Sequence, residues 1–171
     1  MTGGDAGPRV RAAGVDDLDA IVEIYLSSAG HHATLAPERY RVPDPDAVRA
    51  RFRRQLEEAE PEDVHLVATV DGVVVGAADA IRRPDGSRGS MRIPGRTAEV
   101  GIAVLLEWRG RGIGTALLLA LEGWARAQDL DGLVLDVAAE NEDAERLYRR
   151  LGYGAVSLTM ARSLAPEPAA R

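Results

Sequence analysis

TAEVGIAVLLEWRGRGIGTALLLALEGW, residues 97–124, is the stretch around which the chain is organised. From Val100 to Leu106 it is almost continuously apolar, as a strand buried on both faces would be. Glu107 and Trp108 leave that run, and Arg109-Gly110-Arg111-Gly112-Ile113-Gly114 follows. Glycine tolerates positive φ and lets a ligand approach the main chain. A long Leu- and Ala-rich helix then begins. Its first N–H groups have no partner within the helix. Those donors, the positive end of the helix dipole and two arginines together suit a phosphate or a diphosphate. The same residues also fit a tight glycine turn with solvated arginines.

Two other nucleotide motifs fit worse. A P-loop places Lys and then Ser or Thr after its last glycine, but here Thr115 follows Gly114 directly and the chain contains no lysine. A dinucleotide fingerprint counted from Gly110 would need its third glycine where Thr115 stands. A second block lies one expected strand further on: Asn141-x-x-Ala144-x-x-Leu147-Tyr148-x-x-Leu151-Gly152-Tyr153. The first block, Arg109-x-x-Gly112-x-Gly114 between a strand and a helix, resembles the acetyl-CoA signature of the GNAT N-acetyltransferases. The second is similar to that family's asparagine–tyrosine helix, which ends in glycine and an aromatic residue. The two blocks stand in the family's order.

Composition bounds the rest. With 171 residues, 46% of them apolar, the chain is long enough for one domain with a real core. A net charge of −6 argues against non-specific nucleic-acid binding. There is no cysteine, hence no disulfide frame, thiolate nucleophile or zinc–cysteine site. No apolar run reaches membrane-spanning length and no signal peptide is visible, so a cytoplasmic protein is expected. All 21 basic residues are arginine.

In chain order, residues 1–7 and 164–171 read as flexible tails around a single domain over 8–163. Val10–Ala12 fits a short strand. Asp16 or Asp17 could cap a helix through Leu18, Ile21, Val22, Tyr25 and Leu26, which keep the spacing of one buried face. Ser27–Pro45 is irregular. Asp46–Glu58 predicts a second helix with Val48, Phe52 and Leu56 along one stripe. Val64–Val70 and Val73–Ile81 flank Asp71-Gly72, a hairpin pattern. Arg82–Arg96 reads as a long surface connection. The helix after the arginine–glycine turn runs to about Gln128, with Trp124 at its far end. A strand over Leu133–Val137, a helix over Asp143–Leu151 and a strand over Val156–Met160 complete the order β-α-α-β-β-β-α-β-α-β. That is an α/β mixed sheet covered by helices, as in the GNAT fold. The family usually carries two strands after its last helix. Here there is room for barely one, so the resemblance stops short of the outer substrate wall, and a homodimer stays open.

The resemblance implies acetyl transfer from acetyl-CoA to a primary amine, of a small molecule or a peptide N-terminus, by direct attack in a ternary complex. It places Arg109, Gly110, Arg111, Gly112, Ile113, Gly114 and Thr115 around the diphosphate. It sets Ile102, Ala103 and Val104 alongside the pantetheine like an added strand. Such chemistry needs a neutral amine, a donor for the oxyanion and a proton for the leaving thiolate. A backbone N–H of the central strand is the expected oxyanion donor. Tyr148, a phenol at neutral pH, is the candidate proton donor. It equally fits the packing stripe of Ala144, Leu147 and Leu151. Asn141 reads as a helix cap; the family also uses it near the thioester end of the cofactor. Glu99 and Asp136 are the candidate bases, with Glu99 preferred, and either also fits a salt-bridged carboxylate. By resemblance His31, His32 and Tyr40 face the acceptor, although an ordinary polar loop accounts for them as well. Two adjacent histidines without a third ligand do not make a metal site, and no metal is expected. A non-catalytic acyl-CoA-binding module and a nucleotide-binding regulatory domain are the alternatives.

Overall fold

A computed structural model describes residues 7–83 and 95–162 of the chain. Nearly all of the expected tails, 1–7 and 164–171, and most of the Arg82–Arg96 connection lie outside the described residues. Five strands form one sheet in chain order: β1 (Arg9–Ala12), β2 (Val64–Val70), β3 (Val73–Arg82), β4 (Thr97–Val104) and β5 (Gly132–Val134). The first four are antiparallel to their neighbours, and β4–β5 is parallel. Among the described residues four helices cover it: α1 (Leu18–Leu35), α2 (Pro45–Glu57), α3 (Ile113–Ala127) and α4 (Glu142–Arg150). The β2–β3 hairpin forms where Asp71-Gly72 predicts it. Both residues take positive φ, 50° and 81°, as a two-residue turn matching strand twist requires.

The helices divide between the two sheet faces because strand residues alternate. Ala78 and Ala80 of β3, with Ala98 and Val100 of β4, meet Ile113, Leu117, Leu118 and Leu121 of α3 in the main core. Each of the three buried leucines contributes about 1.5–3 kcal/mol through removal of apolar surface from water. A Cβ at Gly76 would lie 3.0 Å from Ile113 and 3.1 Å from Leu117. Glycine there seats the first turns of α3 directly on β3. The opposite parity, Ala77 and Asp79, faces the α1–α2 layer. In that layer Leu18 and Val22 pack with Val48, Phe52 and Leu56.

Two expectations change. The first helix does not stop near Ser27 but continues to Leu35, carrying His31 and His32 on its last turns. Ser, His and Gly are poor but tolerated helix residues while Ala is a strong one, and no proline interrupts the helix before Pro37. The strand expected over Val156–Met160 does not form. Val156, Leu158 and Met160 are 83%, 83% and 86% exposed. The strand pattern is present, but β5 is three residues long and offers almost no edge on which a further strand could build.

The entry to α1 is fixed by a charge. Both guanidinium nitrogens of Arg11 donate to the Asp17 carboxylate at 2.7 Å, and the Gly14 N–H donates to it at 2.9 Å. Asp17 thus reaches back to Gly14 rather than capping α1 itself. The Arg11 hydrogen bond holds the Asp17 carboxyl below its ordinary value, against the upward push of burial. A lowered folded-state pKa gives stability that is present above the unfolded value and lost as pH falls through the folded one. Asp17→Asn is therefore expected to lower unfolding free energy by about 1–2 kcal/mol at pH 7. The deficit should shrink below about pH 4. Urea melts of both proteins at pH 7 and pH 3 check this; an equally wide gap at pH 3 would contradict it.

Candidate active site

β4 delivers the chain into the arginine–glycine turn. The Leu105 N–H donates to the Val75 carbonyl at 3.0 Å, and a single 3-10 turn, Leu106–Trp108, follows. Gly110 and Gly112 both take positive φ, 74° and 79°, and no described residue lies within 4 Å of where a Cβ would stand on either. Gly112 is the N-cap of α3 and no side chain caps the helix. The first helical bond runs from the Ala116 N–H to the Gly112 carbonyl, 2.9 Å. The N–H groups of Ile113, Gly114 and Thr115 therefore have no acceptor within the helix. The two arginines differ. Arg109 is partly buried and its Nε donates to the Val104 carbonyl at 3.2 Å. Burial holds its pKa below the ordinary value, partly offset by Asp143. Arg111 is exposed, its guanidinium 4.7 Å over the Trp108 ring.

Beyond the turn the sheet opens. β5 pairs with β4 only from Thr97 to Glu99, whereas β4 continues to Val104 along β3. Among the described residues, the β4 edge at Ile102, Ala103 and Val104 is thus unpaired on the β5 side. A cavity of about 820 Å³ includes this edge, Arg109, Gly110 and the start of α3 from Gly112 to Thr115.

α4 forms the next wall. Asn141 caps it, its side-chain oxygen accepting from the Ala144 N–H at 3.3 Å. Acidic Glu142 and Asp143 occupy the first turn, favourable at a helix N-terminus. The helix ends as Gly152 takes a φ of 90°. The Tyr153 N–H then donates to the Tyr148 carbonyl at 3.0 Å, and the Gly152 N–H to the Arg149 carbonyl at 3.1 Å, the paired bonds of a Schellman stop. Leu147 comes to 3.1 Å from a Cβ built on Gly114, so α4 and α3 approach closely there. Tyr148 and Asn141 both line the cavity. Burial pushes the Tyr148 phenol above its ordinary value, so it remains protonated at neutral pH.

The carboxylates separate. Glu99 is exposed and accepts from Arg83 Nε at 3.0 Å and Nη2 at 2.8 Å. It lines a smaller cleft beside Ile81 and Arg82, not the main cavity. Asp136 is not within a strand, because β5 ends at Val134. It stands two residues beyond, exposed, on the cavity wall. His32 lines the cavity, its Nδ1 2.9 Å from the Ser28 carbonyl oxygen. His31 sits near Arg109; burial first, then the charges of Arg109 and His32, lower its pKa. Tyr40 is exposed, its ring 5.3 Å from that of His32. Neither His31 nor Tyr40 lines the cavity. Among the described residues no group of three His, Cys, Asp or Glu could hold a metal, and no helix is long and apolar enough to cross a membrane.

The residue that sequence reasoning missed is Asp79. It pairs with His65 of β2 on one side and Gly101 of β4 on the other. A Cβ on Gly101 would fall 2.7 Å from Asp79 Oδ1, so glycine there makes room for the carboxylate. Burial is the main cause that raises the Asp79 pKa to about 6; Arg51 opposes it, while Asp63 and Glu99 add to it. The available signals were an acid inside the apolar run of β3 and a glycine inside the central strand.

The model of the acetyltransferase (GNAT) family matches residues 21–153. The chain is 33% identical over 147 residues to an L-methionine sulfoximine/L-methionine sulfone acetyltransferase of Pseudomonas paraeruginosa, covering 84% of this chain and 78% of that protein. It is 30% identical over 117 residues to a Salmonella typhimurium aminoglycoside N(6')-acetyltransferase type 1, covering 60% of this chain and 80% of that one. Among solved structures, the aminoglycoside N-acetyltransferase AAC(6')-Iy in complex with CoA superposes with a TM-score of 0.68 at 22% identity, over 96% of this chain and all of the other. An uncapped helix start behind two open glycines, a free β4 edge and a family match across most of the chain agree: this protein belongs to the GNAT acetyltransferase family and is an N-acetyltransferase.

Proposed function

We propose that the protein moves the acetyl group of acetyl-CoA onto the primary amine of a small molecule, by direct attack while both substrates are bound. One observation carries this reading: the uncapped N-terminus of α3 and the Tyr148 phenol open onto the same cavity. In this reading the amides from Gly110 to Thr115 receive the diphosphate, flanked by Arg109 and Arg111. The pantetheine lies along Ile102–Val104, whose free edge offers it main-chain hydrogen bonds. Asn141, already committed to its cap, faces the thioester end. A β4 N–H receives the oxyanion, and Tyr148 gives its proton to the departing thiolate. Of the two carboxylates expected from sequence, Asp136 has the more open approach to the cavity, and Glu99 is held by Arg83. The names of the two relatives support a small-molecule acceptor over a peptide.

Acetyl-CoA at about 100 times its Kd is expected to add about 2.7 kcal/mol of stability. For a chain of this size that is a melting rise of roughly 5–10 °C, with no comparable rise from NAD or ATP. Continuous thiol release with a small-amine panel then separates a transferase from a module that only binds acyl-CoA. A thermal shift without thiol release from any amine would support the binding module instead.

A further inference from the structure

Resting on the transferase reading, we infer that the acceptor is a compact amino-acid-like zwitterion, its amine received by Asp79 and its carboxylate by Arg51, in the chamber between α1–α2 and the β2–β4 face.

Both groups are set for a ligand rather than for each other. Asp79 is half-buried and lines the main cavity, yet no hydrogen bond or ion pair reaches its carboxylate from the described residues. It lies over Gly101, next along β4 to the Ile102–Val104 edge. A nitrogen held there is beside the place where the thioester is expected. Arg51 also lines the cavity. Its guanidinium carbon stands 4.3 Å from the Tyr25 ring centroid and 4.4 Å from that of Phe52, and Nη1 donates to the Tyr25 hydroxyl at 3.4 Å. Two aromatic contacts fix the plane of the cation, but no carboxylate of the described residues pairs with it. Its Nε and the Oε1 of Gln55, one helical turn on, are buried without partners. A positioned, unpaired guanidinium suits a carboxylate, which it can bind through two parallel hydrogen bonds. A chamber that holds one cation and one anion matches a zwitterion. A polyamine would meet the charge of Arg51 on entering.

The bound ammonium gives one proton to Asp79, which passes it to solvent. The free amine attacks the acetyl carbon, an N–C bond forms and the C–S bond breaks. The thiolate takes the Tyr148 proton, and the second proton of the nitrogen restores Tyr148. Activity should accordingly rise with pH through about 6, where Asp79 loses its proton. The charged groups around Asp79 are Arg51 of α2, Asp63 and His65 on the β2 side and Glu99 of β4. Tyr25 and His32 of α1 line the same chamber, and Arg82 and Arg83 share its outer cleft. Burial lowers the His65 pKa from its ordinary value, with Asp63 opposing.

The test uses the full chain with acetyl-CoA and three sets of acceptors: the common L-amino acids, their α-amides, and kanamycin. At least one amino acid should exceed its own amide about 30- to 100-fold in kcat/KM. Arg51→Met should erase that preference by raising KM for the amino acid alone, and Arg51→Lys should restore part of it. Asp79→Asn should lower kcat by about 100-fold or more for amino acid and amide alike and remove the acidic limb near pH 6. The acetyl-CoA melting shift reports whether each variant is folded, and the comparison within the parent protein needs no variant. Equal use of amides, or a preference for kanamycin, overturns the zwitterion assignment while leaving the transferase reading intact. Parental kcat in a folded Asp79→Asn protein overturns the role of Asp79. Thiol release from no acceptor defeats the transferase reading itself.

Discussion

Gly112→Val is expected to raise the Kd for acetyl-CoA by about 100- to 1000-fold and to leave the fold in place. Gly112 stands at a φ of 79° at the head of α3. A β-branched residue is a steric outlier there, and the left-handed conformation alone costs about 1–2 kcal/mol. The chain can relieve that strain only by rotating the peptide, which turns the neighbouring N–H groups away from the ligand. Each hydrogen bond to a charged group is worth about 1.5–3 kcal/mol. Losing one together with the strain gives roughly 3–4 kcal/mol, or two to three decades of affinity. The core does not share the cost, because no described residue lies within 4 Å of the added Cβ. Gly112→Ala should fall between parent and Val. Isothermal titration with acetyl-CoA, with circular dichroism to verify folding, measures both. Parental affinity in the Val protein would show that the turn does not hold the cofactor.

Tyr148→Phe is expected to lower kcat by about 100-fold or more, the usual worth of a positioned proton donor, with acetyl-CoA affinity unchanged. The change removes one oxygen and keeps the ring, so its packing against Tyr153, at 6.0 Å between centroids, survives. Because burial lifts the phenol above its ordinary value of 10.0, the parent should lose no activity through Tyr148 deprotonation below about pH 10. Steady-state thiol release from pH 6 to 10 tests both statements. A Phe variant with parental kcat leaves Tyr148 a packing residue only.

What could be read from the sequence was local. Asp71-Gly72 reveals the hairpin because only residues that accept positive φ fit that turn. Asn141 and Gly152 bracket α4 because a cap and a left-handed stop each demand a residue type. Gly110 and Gly112 mark the turn before α3 for the same reason. What could not be read depended on partners distant in the chain. Asp79 sits in the run Ala-Ala-Asp-Ala, and only the β2–β3–β4 register sets it between His65 and Gly101. Arg51 belongs to a strongly basic helix, RARFRRQ, and resembles its solvated neighbours until Tyr25 of α1 comes against it. His31 and His32 looked like loop residues because Ser-Ser-Ala-Gly weakens helix propensity, yet α1 runs through them. Val156–Met160 shows the inverse case. Its alternation is correct for a strand, but a strand also needs an edge of adequate length, and a three-residue β5 does not supply one.

In the proposed mode of binding, bared main-chain amides at the start of α3 grip the diphosphate of CoA and direct its sulfur toward Tyr148. A crystal structure of the protein with bound CoA tests it most directly. The expected result is diphosphate oxygens at about 2.7–3.2 Å from amide nitrogens between Gly110 and Thr115, pantetheine along Ile102–Val104, and the sulfur within hydrogen-bond reach of the Tyr148 hydroxyl. CoA bound elsewhere on the chain, with this turn filled by solvent, would contradict the account.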